Sequence, residues 1–199
     1  MTHDLLLALT GFAFVSSVTP GPNNLMLMAS GANFGFGRTI PHMLGVGLGF
    51  TFMVFVVGIG LMQVFEMVPG SQAVLRVVSV AYLLYLAWKI ANAAPPEAGG
   101  ATGRPMTFLQ AALFQWANPK AWAMALTAIT LYAPSRDLGA VLVVAAVFGA
   151  INLPSVGCWT LMGRAIRRWL TSHGRLRIFN RTMAVLLVAS LWPMLGQAA

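Results

Sequence analysis

The chain has 199 residues, 58% of them hydrophobic and only 8% charged, with a net charge of +8 and a pI near 11.2. That composition, with a mean hydropathy of +0.78, excludes an ordinary soluble domain and a disordered chain alike and specifies an integral membrane protein. Apolar runs long enough to cross a bilayer are read at 5–33, 43–65, 72–92, 107–132, 138–163 and 182–197, which leaves no room for a soluble catalytic domain.

The first run begins after a short tail that holds Asp4 but no Lys or Arg. It lacks the basic n-region of a cleavable signal peptide and stays apolar past any plausible cleavage point. Near its centre it is interrupted by Thr19, Pro20, Gly21, Pro22 and Asn23. Proline has no N–H and clashes with the carbonyl four residues earlier, so Pro20 and Pro22 release the carbonyls of Ser16 and Val18. Gly21 adds backbone freedom. The helix that resumes near Asn23 starts with unpaired N–H groups and a partial positive charge, with Thr19, Asn23 or Asn24 available to cap it. A carboxylate suits that spot, and Ser16 and Ser17 lie within a turn of it. The alternative is a proline kink satisfied by neighbouring side chains.

The second run carries Gly45 and Gly49 at the spacing that lets two helix backbones approach closely, and Gly31 and Gly35 repeat that spacing at the end of the first run. His42, at the mouth of the second run, reads as a surface histidine, with a proton carrier as the sharper alternative. After the third run, residues 93–106 hold Pro95, Pro96, Gly99, Gly100, Gly103 and Pro105 and read as the linker between a repeat at 1–92 and a repeat at 107–199.

The fourth run is broken at Asn118, Pro119 and Lys120. Lys120 sits about 12 residues, or ~18 Å, from either end of its run, and a lysine reaching roughly 6 Å cannot snorkel out. An unpaired lysine there costs at least ~2.5–3.5 kcal/mol. The four acidic residues, Asp4, Glu66, Glu97 and Asp137, all lie at run ends or in loops. The partners left are the Gln115 carbonyl freed by Pro119, the side chains of Asn118, Asn23 and Asn24, water, or a substrate carboxylate. In the fifth run Asn152 and Pro154 read as a structural kink and Cys158 as a buried inert thiol. No metal-ligand cluster, phosphate loop or nucleophile with a base is present, and no cofactor is implied.

Half of the twelve Lys and Arg residues, Arg164, Arg167, Arg168, Arg175, Arg177 and Arg181, fall between the fifth and sixth runs. With Arg38, Lys89 and Arg104 they load the odd-numbered connections, against Arg76 and Arg136 on the other side. The positive-inside rule makes the odd loops cytoplasmic and both termini periplasmic. The arginines read as an orientation signal on anionic lipid head groups, not a nucleic-acid surface. Three spans per half make the halves oppositely oriented. The expected fold is therefore an all-α membrane protein of six transmembrane helices in a single transporter domain, two inverted three-helix repeats with helices 1 and 4 broken at mid-membrane.

The segments TPGPNNLMLMASG (19–31), GFGR (35–38), AYLLYLAWKI (81–90) and FQWANPKAW (114–122) resemble those of the LysE/RhtB family of bacterial inner-membrane amino-acid exporters. The resemblance runs through both halves in the right order. It implies a secondary exporter of an amino acid or derivative, coupled to protons, in the bacterial inner membrane. It carries over Pro20, Gly21, Pro22, Asn23, Asn118, Pro119 and Lys120 as the translocation core, to which the residues themselves add Thr19, Asn24 and Gln115. Pro41 departs from the family pattern at the mouth of helix 2. With no buried carboxylate to meet a cationic side chain, a neutral substrate is expected over a dibasic one. A membrane-embedded enzyme or maturation factor using Cys158 or Lys120, and a passive channel, are the competing readings; a homo-oligomer is compatible with all three.

Overall fold

A computed structural model of the chain describes residues 1–61, 67, 70–93, 103–133, 137–170 and 172–191, and no strand occurs among them. The first apolar run forms two helices, α1 (His3–Val18) and α2 (Pro22–Phe34), which meet at 51°. Thr2 opens α1 by accepting a hydrogen bond from the Leu5 N–H at 3.3 Å. Thr19 and Gly21 are extended and Pro22 takes the first position of α2, where its missing N–H leaves nothing unpaired.

At its far end α2 stops on Gly35, whose φ of +80° lies in the left-handed region that glycine adopts without strain. Helix α3 (Phe36–Val56) starts at once, with Pro41 inside it instead of in a loop, and runs into a π turn at Val57–Leu61. Gly35 is thus a turn residue, and of the expected Gly31/Gly35 packing pair only Gly31 packs. Helix α4 (Ser71–Ala91) follows; most of the expected linker, residues 94–102, lies outside the described residues, as do Glu66 and Glu97.

The fourth run is likewise two helices. Thr107 and Gln110 form a capping box that starts α5 (Phe108–Phe114), a 3₁₀ turn covers Gln115–Ala117, Asn118 is extended, and α6 (Pro119–Tyr132) begins on proline. Asp137 caps α7 (Leu138–Ile166), which carries Pro154 in its interior and ends in a 3₁₀ turn at Arg167–Trp169. Ser172 caps α8 (His173–Ala189). Helices α3 and α8 both begin before the apolar runs they contain, because hydropathy marks the part of a helix that meets lipid and not its ends.

Three stretches, Phe36–Gly60, Ala73–Ala91 and Leu138–Trp169, are long and apolar enough to cross a membrane, and the bent pair α1–α2 makes a fourth. Helix α8 and the broken pair α5–α6 do not meet that measure among the described residues, so four of the six expected spans are found by length and composition. The architecture is that of an all-α membrane protein.

Helix α7 is the column against which α1, α2 and α3 pack; α3 also packs on α5, and α4 on α8. Small residues set these distances. A methyl group at Gly31 would strike the Thr160 carbonyl oxygen, and one at Gly163 the Met28 carbonyl oxygen, so α2 and α7 touch backbone to backbone at two levels. Gly45 meets the Phe108 carbonyl, and a Cβ at Gly49 would lie 2.6 Å from the Ala112 Cα, which confirms the shared glycine face of α3. Between α1, α3, α6 and α7 the core is filled by Leu9, Phe50, Met53, Ala125, Val144 and Phe148, with Phe148 edge-on to Phe50 at 5.4 Å and to Phe12 at 6.0 Å. Cys158 is exposed on α7, not buried: the inward face of that helix runs through Asn152, Ser155, Val156, Thr160 and Gly163, and position 158 falls on the other side.

Candidate functional site

The first break is held by side chains that replace the lost helix bonds. In a continuous helix the Ser17 carbonyl would accept from residue 21, but Gly21 is extended. Ser17 O instead accepts from Asn24 Nδ2 at 2.8 Å and from Ser155 Oγ of α7 at 2.9 Å. The same Asn24 amide donates to Thr19 O at 2.9 Å, so one side chain bridges both sides of the break. The Thr19 hydroxyl turns back to the Val15 carbonyl. Expected capping of α2 by Thr19, Asn23 or Asn24 does not occur; Gly21 holds the cap position and no side chain bonds there. The first N–H groups of α2 therefore point into the break without a side-chain partner.

The second break reaches across to the first. Asn118 Oδ1 accepts from the Lys120 N–H at 3.1 Å and so caps α6. The Gln115 carbonyl accepts from the Asn118 N–H at 3.2 Å, and the lysine ammonium turns elsewhere. Lys120 Nζ donates to Thr19 O at 2.6 Å and lies 3.5 Å from Pro20 O. The protein partner is thus not the Gln115 carbonyl or the Asn118, Asn23 or Asn24 side chain expected from the sequence, but a pair of backbone carbonyls on the other break. Its stem crosses Gly21, where a Cβ would stand 2.6 Å from Lys120 Cδ; glycine is required there because the lysine occupies the side-chain space. Beside it, Asn23 and Gln115 exchange amide hydrogen bonds, Asn23 Nδ2 to Gln115 Oε1 at 2.8 Å and Gln115 Nε2 to Asn23 Oδ1 at 3.3 Å.

A small cavity of about 20 Å³ lies between the two breaks, lined by Ser16, Ser17, Gly21, Asn23, Asn24, Phe50, Asn118, Lys120, Ala121, Met124 and Asn152. It is a partly open recess with room for about one water-sized molecule. Its wall contains one cation and no carboxylate. Ser17 Oγ is buried in it without a hydrogen-bond partner among the described residues, and the amide of Asn152 makes no hydrogen bond to another described residue.

Of the ten residues singled out in the sequence, Gly21, Asn23, Asn24, Asn118 and Lys120 line this cavity. Thr19 and Pro20 hold the ammonium, Gln115 pairs with Asn23, and Pro22 and Pro119 start the two half-helices. Sequence reasoning missed Asn152, read as part of a kink, and Phe50, Met124 and Ser155. An asparagine inside a long apolar run was the available signal for the first; the others have none without the packing. His42 is also not the surface residue expected: it is 2% exposed. Among the described residues no group of three metal-binding side chains occurs, and Cys158 faces away from the cavity.

Residues 14–190 match the family model of the LysE type translocator. The chain belongs to that family. It is 30% identical over 192 residues to proteins named cysteine/O-acetylserine efflux protein from Escherichia coli strain K12 and from Shigella sonnei, covering 94% of this chain and 96% of each relative. The protein of that name from Escherichia coli O139:H28 is 29% identical over the same span. No solved structure matches. As a LysE type translocator the protein is a multi-pass membrane transporter and not an enzyme, and the reading of Cys158 or Lys120 as a catalytic group falls.

Proposed function

We propose that this LysE type translocator is a secondary exporter of a small neutral amino acid or a close derivative across the inner membrane, driven by the proton motive force. The observation that carries the reading is the Lys120 ammonium, held against two carbonyls of the opposite break with a third N–H left for the cavity. A substrate carboxylate meets that N–H and the uncapped start of α2, two positive ends converging on one anion. Asn152 and Ser17 offer uncharged polar contacts to the rest of the molecule. With no carboxylate in the wall, a second cationic group on the substrate has no counter-ion, which favours neutral side chains. Cysteine and O-acetylserine, named for the relatives, have such side chains.

The reading includes two inverted three-helix repeats, 1–92 and 107–199 joined by 93–106, rocking about the crossed breaks. Each begins with a span that breaks and restarts on a proline, Pro22 in one and Pro119 in the other, and broken helices of this kind at corresponding points are how such transporters build a midplane site. The odd loops are placed in the cytoplasm and both termini in the periplasm. Supporting this, Arg38 donates to Gly103 O, Arg167 lies beside Gly35, and Asn180 donates to Ala93 O, so basic connections gather at one end of α2.

Proteoliposomes loaded with labelled cysteine or O-acetylserine test the proposal. Efflux should be saturable, accelerated by an imposed proton gradient and abolished by an uncoupler; gradient-independent leak would mark a passive channel. Lys120→Ala should insert normally and lose efflux by at least ~100-fold, about the ~2.7 kcal/mol attached to one charge-assisted contact.

A further inference from the structure

His42 combines two properties that no other titratable side chain shares among the described residues. It is enclosed in the helix packing at 2% exposure, and neither ring nitrogen has a hydrogen-bond partner. A neutral imidazole carries one N–H donor and one acceptor, so both are desolvated with nothing gained in return. Buried polar groups are nearly always paired, and one that is not calls for a reason.

The surroundings narrow the reason. Helix α3 packs against α2, α5, α6, α7 and the 3₁₀ turn at Gln115–Ala117. Neither α2, α5 nor that turn carries a titratable residue. Helix α7 offers Cys158 and Arg164, both on its exposed side. From α6 come Lys120, turned to the Thr19 and Pro20 carbonyls, and Tyr132, whose hydroxyl donates to Ala8 O. On α3 itself Arg38 is exposed and lies over the Phe34 ring. No carboxylate faces His42 from any of these elements, so a proton taken up there has no fixed counter-charge and must arrive with a change in what surrounds the ring.

Helix α3 is built to make that change. His42, Gly45 and Gly49 stand three and seven residues apart on one face, and the two glycines rest on the backbone of α5 at Phe108 and Ala112. Eight residues beyond His42, about 12 Å along the helix, Phe50 forms part of the cavity wall. The recess is too small for an amino acid, so a wall has to move for it to hold substrate. Movement of α3 along the smooth glycine contact would open the cavity at Phe50 and bring His42 out of its enclosure in the same step.

We infer that His42 is the proton-carrying residue of the transport cycle, distinct from the substrate contacts around Lys120; this rests on the proton-driven reading above. One proton that has entered from the periplasm through the parted breaks binds the imidazole after the amino acid has left and is released to the cytoplasm before the next is exported, so proton and substrate cross in opposite directions. Imidazole is the side chain whose ordinary titration range spans cellular pH.

The test separates exchange from drive in proteoliposomes of the full chain, using labelled cysteine and O-acetylserine. His42→Gln and His42→Asn should exchange internal for external substrate within about twofold of the wild type, while acceleration by a proton gradient falls at least ~10-fold and the pH profile of efflux flattens. Gradient-driven efflux retained in both variants overturns the inference and leaves the proposed function intact. Loss of exchange and drive together in both variants also overturns it, making His42 a packing residue. A wild-type protein that exchanges substrate but ignores the gradient removes proton coupling itself, and the inference with it.

Discussion

Gly21 and Asn24 show how much a broken helix in oil asks of single residues. Gly21 has to be extended and bare, because the Lys120 stem fills the place of its side chain. Gly21→Ala should leave the fold in the membrane but displace the ammonium from Thr19 O, lowering transport by about tenfold or more, the effect of ~1.4 kcal/mol, in the same efflux assay. Asn24 donates to Ser17 O and Thr19 O at once. Each carbonyl keeps a second donor, Ser155 and Lys120 respectively, so Asn24→Leu should cost ~1–2 kcal/mol and not unfold the chain, read as a lower unfolding midpoint in detergent. The need for a glycine between two prolines was legible in the sequence as backbone freedom. That the freed space belongs to a lysine a hundred residues away was not.

At the scale of elements, α2 is the least replaceable helix. From Leu25 to Asn33 every residue is buried, and its backbone lies directly on α7 at Gly31 and Gly163. Both ends are tied by reciprocal amide pairs, Asn23 with Gln115 and Asn33 with Asn180, the latter at 2.8 and 3.2 Å. Gly163→Leu forces the two backbones apart and should destabilise the protein by ~1–3 kcal/mol, visible as an earlier thermal transition; the same change at Gly174, which has open space around it, should be near neutral. Spacing alone pointed to Gly45 and Gly49 as a packing face, since two glycines four apart within a helix let another backbone come close. It could not distinguish Gly31, which packs, from Gly35, which turns, because the difference lies in a backbone angle set by the start of the next helix.

For the whole molecule, the small recess between the breaks sets what the proposed transport requires. A recess of about 20 Å³ between the breaks is smaller than an amino acid, so under the proposed function substrate access depends on separating the two breaks, and the Asn23–Gln115 pair spans that seam. With Cys158→Ser as background, which should transport like the wild type because position 158 faces away, Asn23→Cys and Gln115→Cys together should be arrested by a short bifunctional thiol reagent and released if a cleavable one is reduced. Undiminished efflux in the cross-linked protein would mean that the breaks do not part during transport. The Lys120 ammonium and the Thr19 and Pro20 carbonyls face each other across that seam, so parting the breaks would free the ammonium for an arriving carboxylate.

The sequence by itself determined that this is a membrane protein built of helices, that two of its apolar runs are broken at proline, and that Lys120 lies too far from either end of its run to snorkel out. These follow from local chemistry, because hydropathy, proline's missing N–H and the length of a lysine do not depend on the rest of the fold. Only the tertiary structure decided that the breaks touch, that the lysine's partners are the Thr19 and Pro20 carbonyls, that Asn152 joins the cavity and that His42 is enclosed. Those facts depend on which helix faces lie against one another, and in a chain apolar on nearly every face the side-chain pattern alone does not say which way a helix is turned.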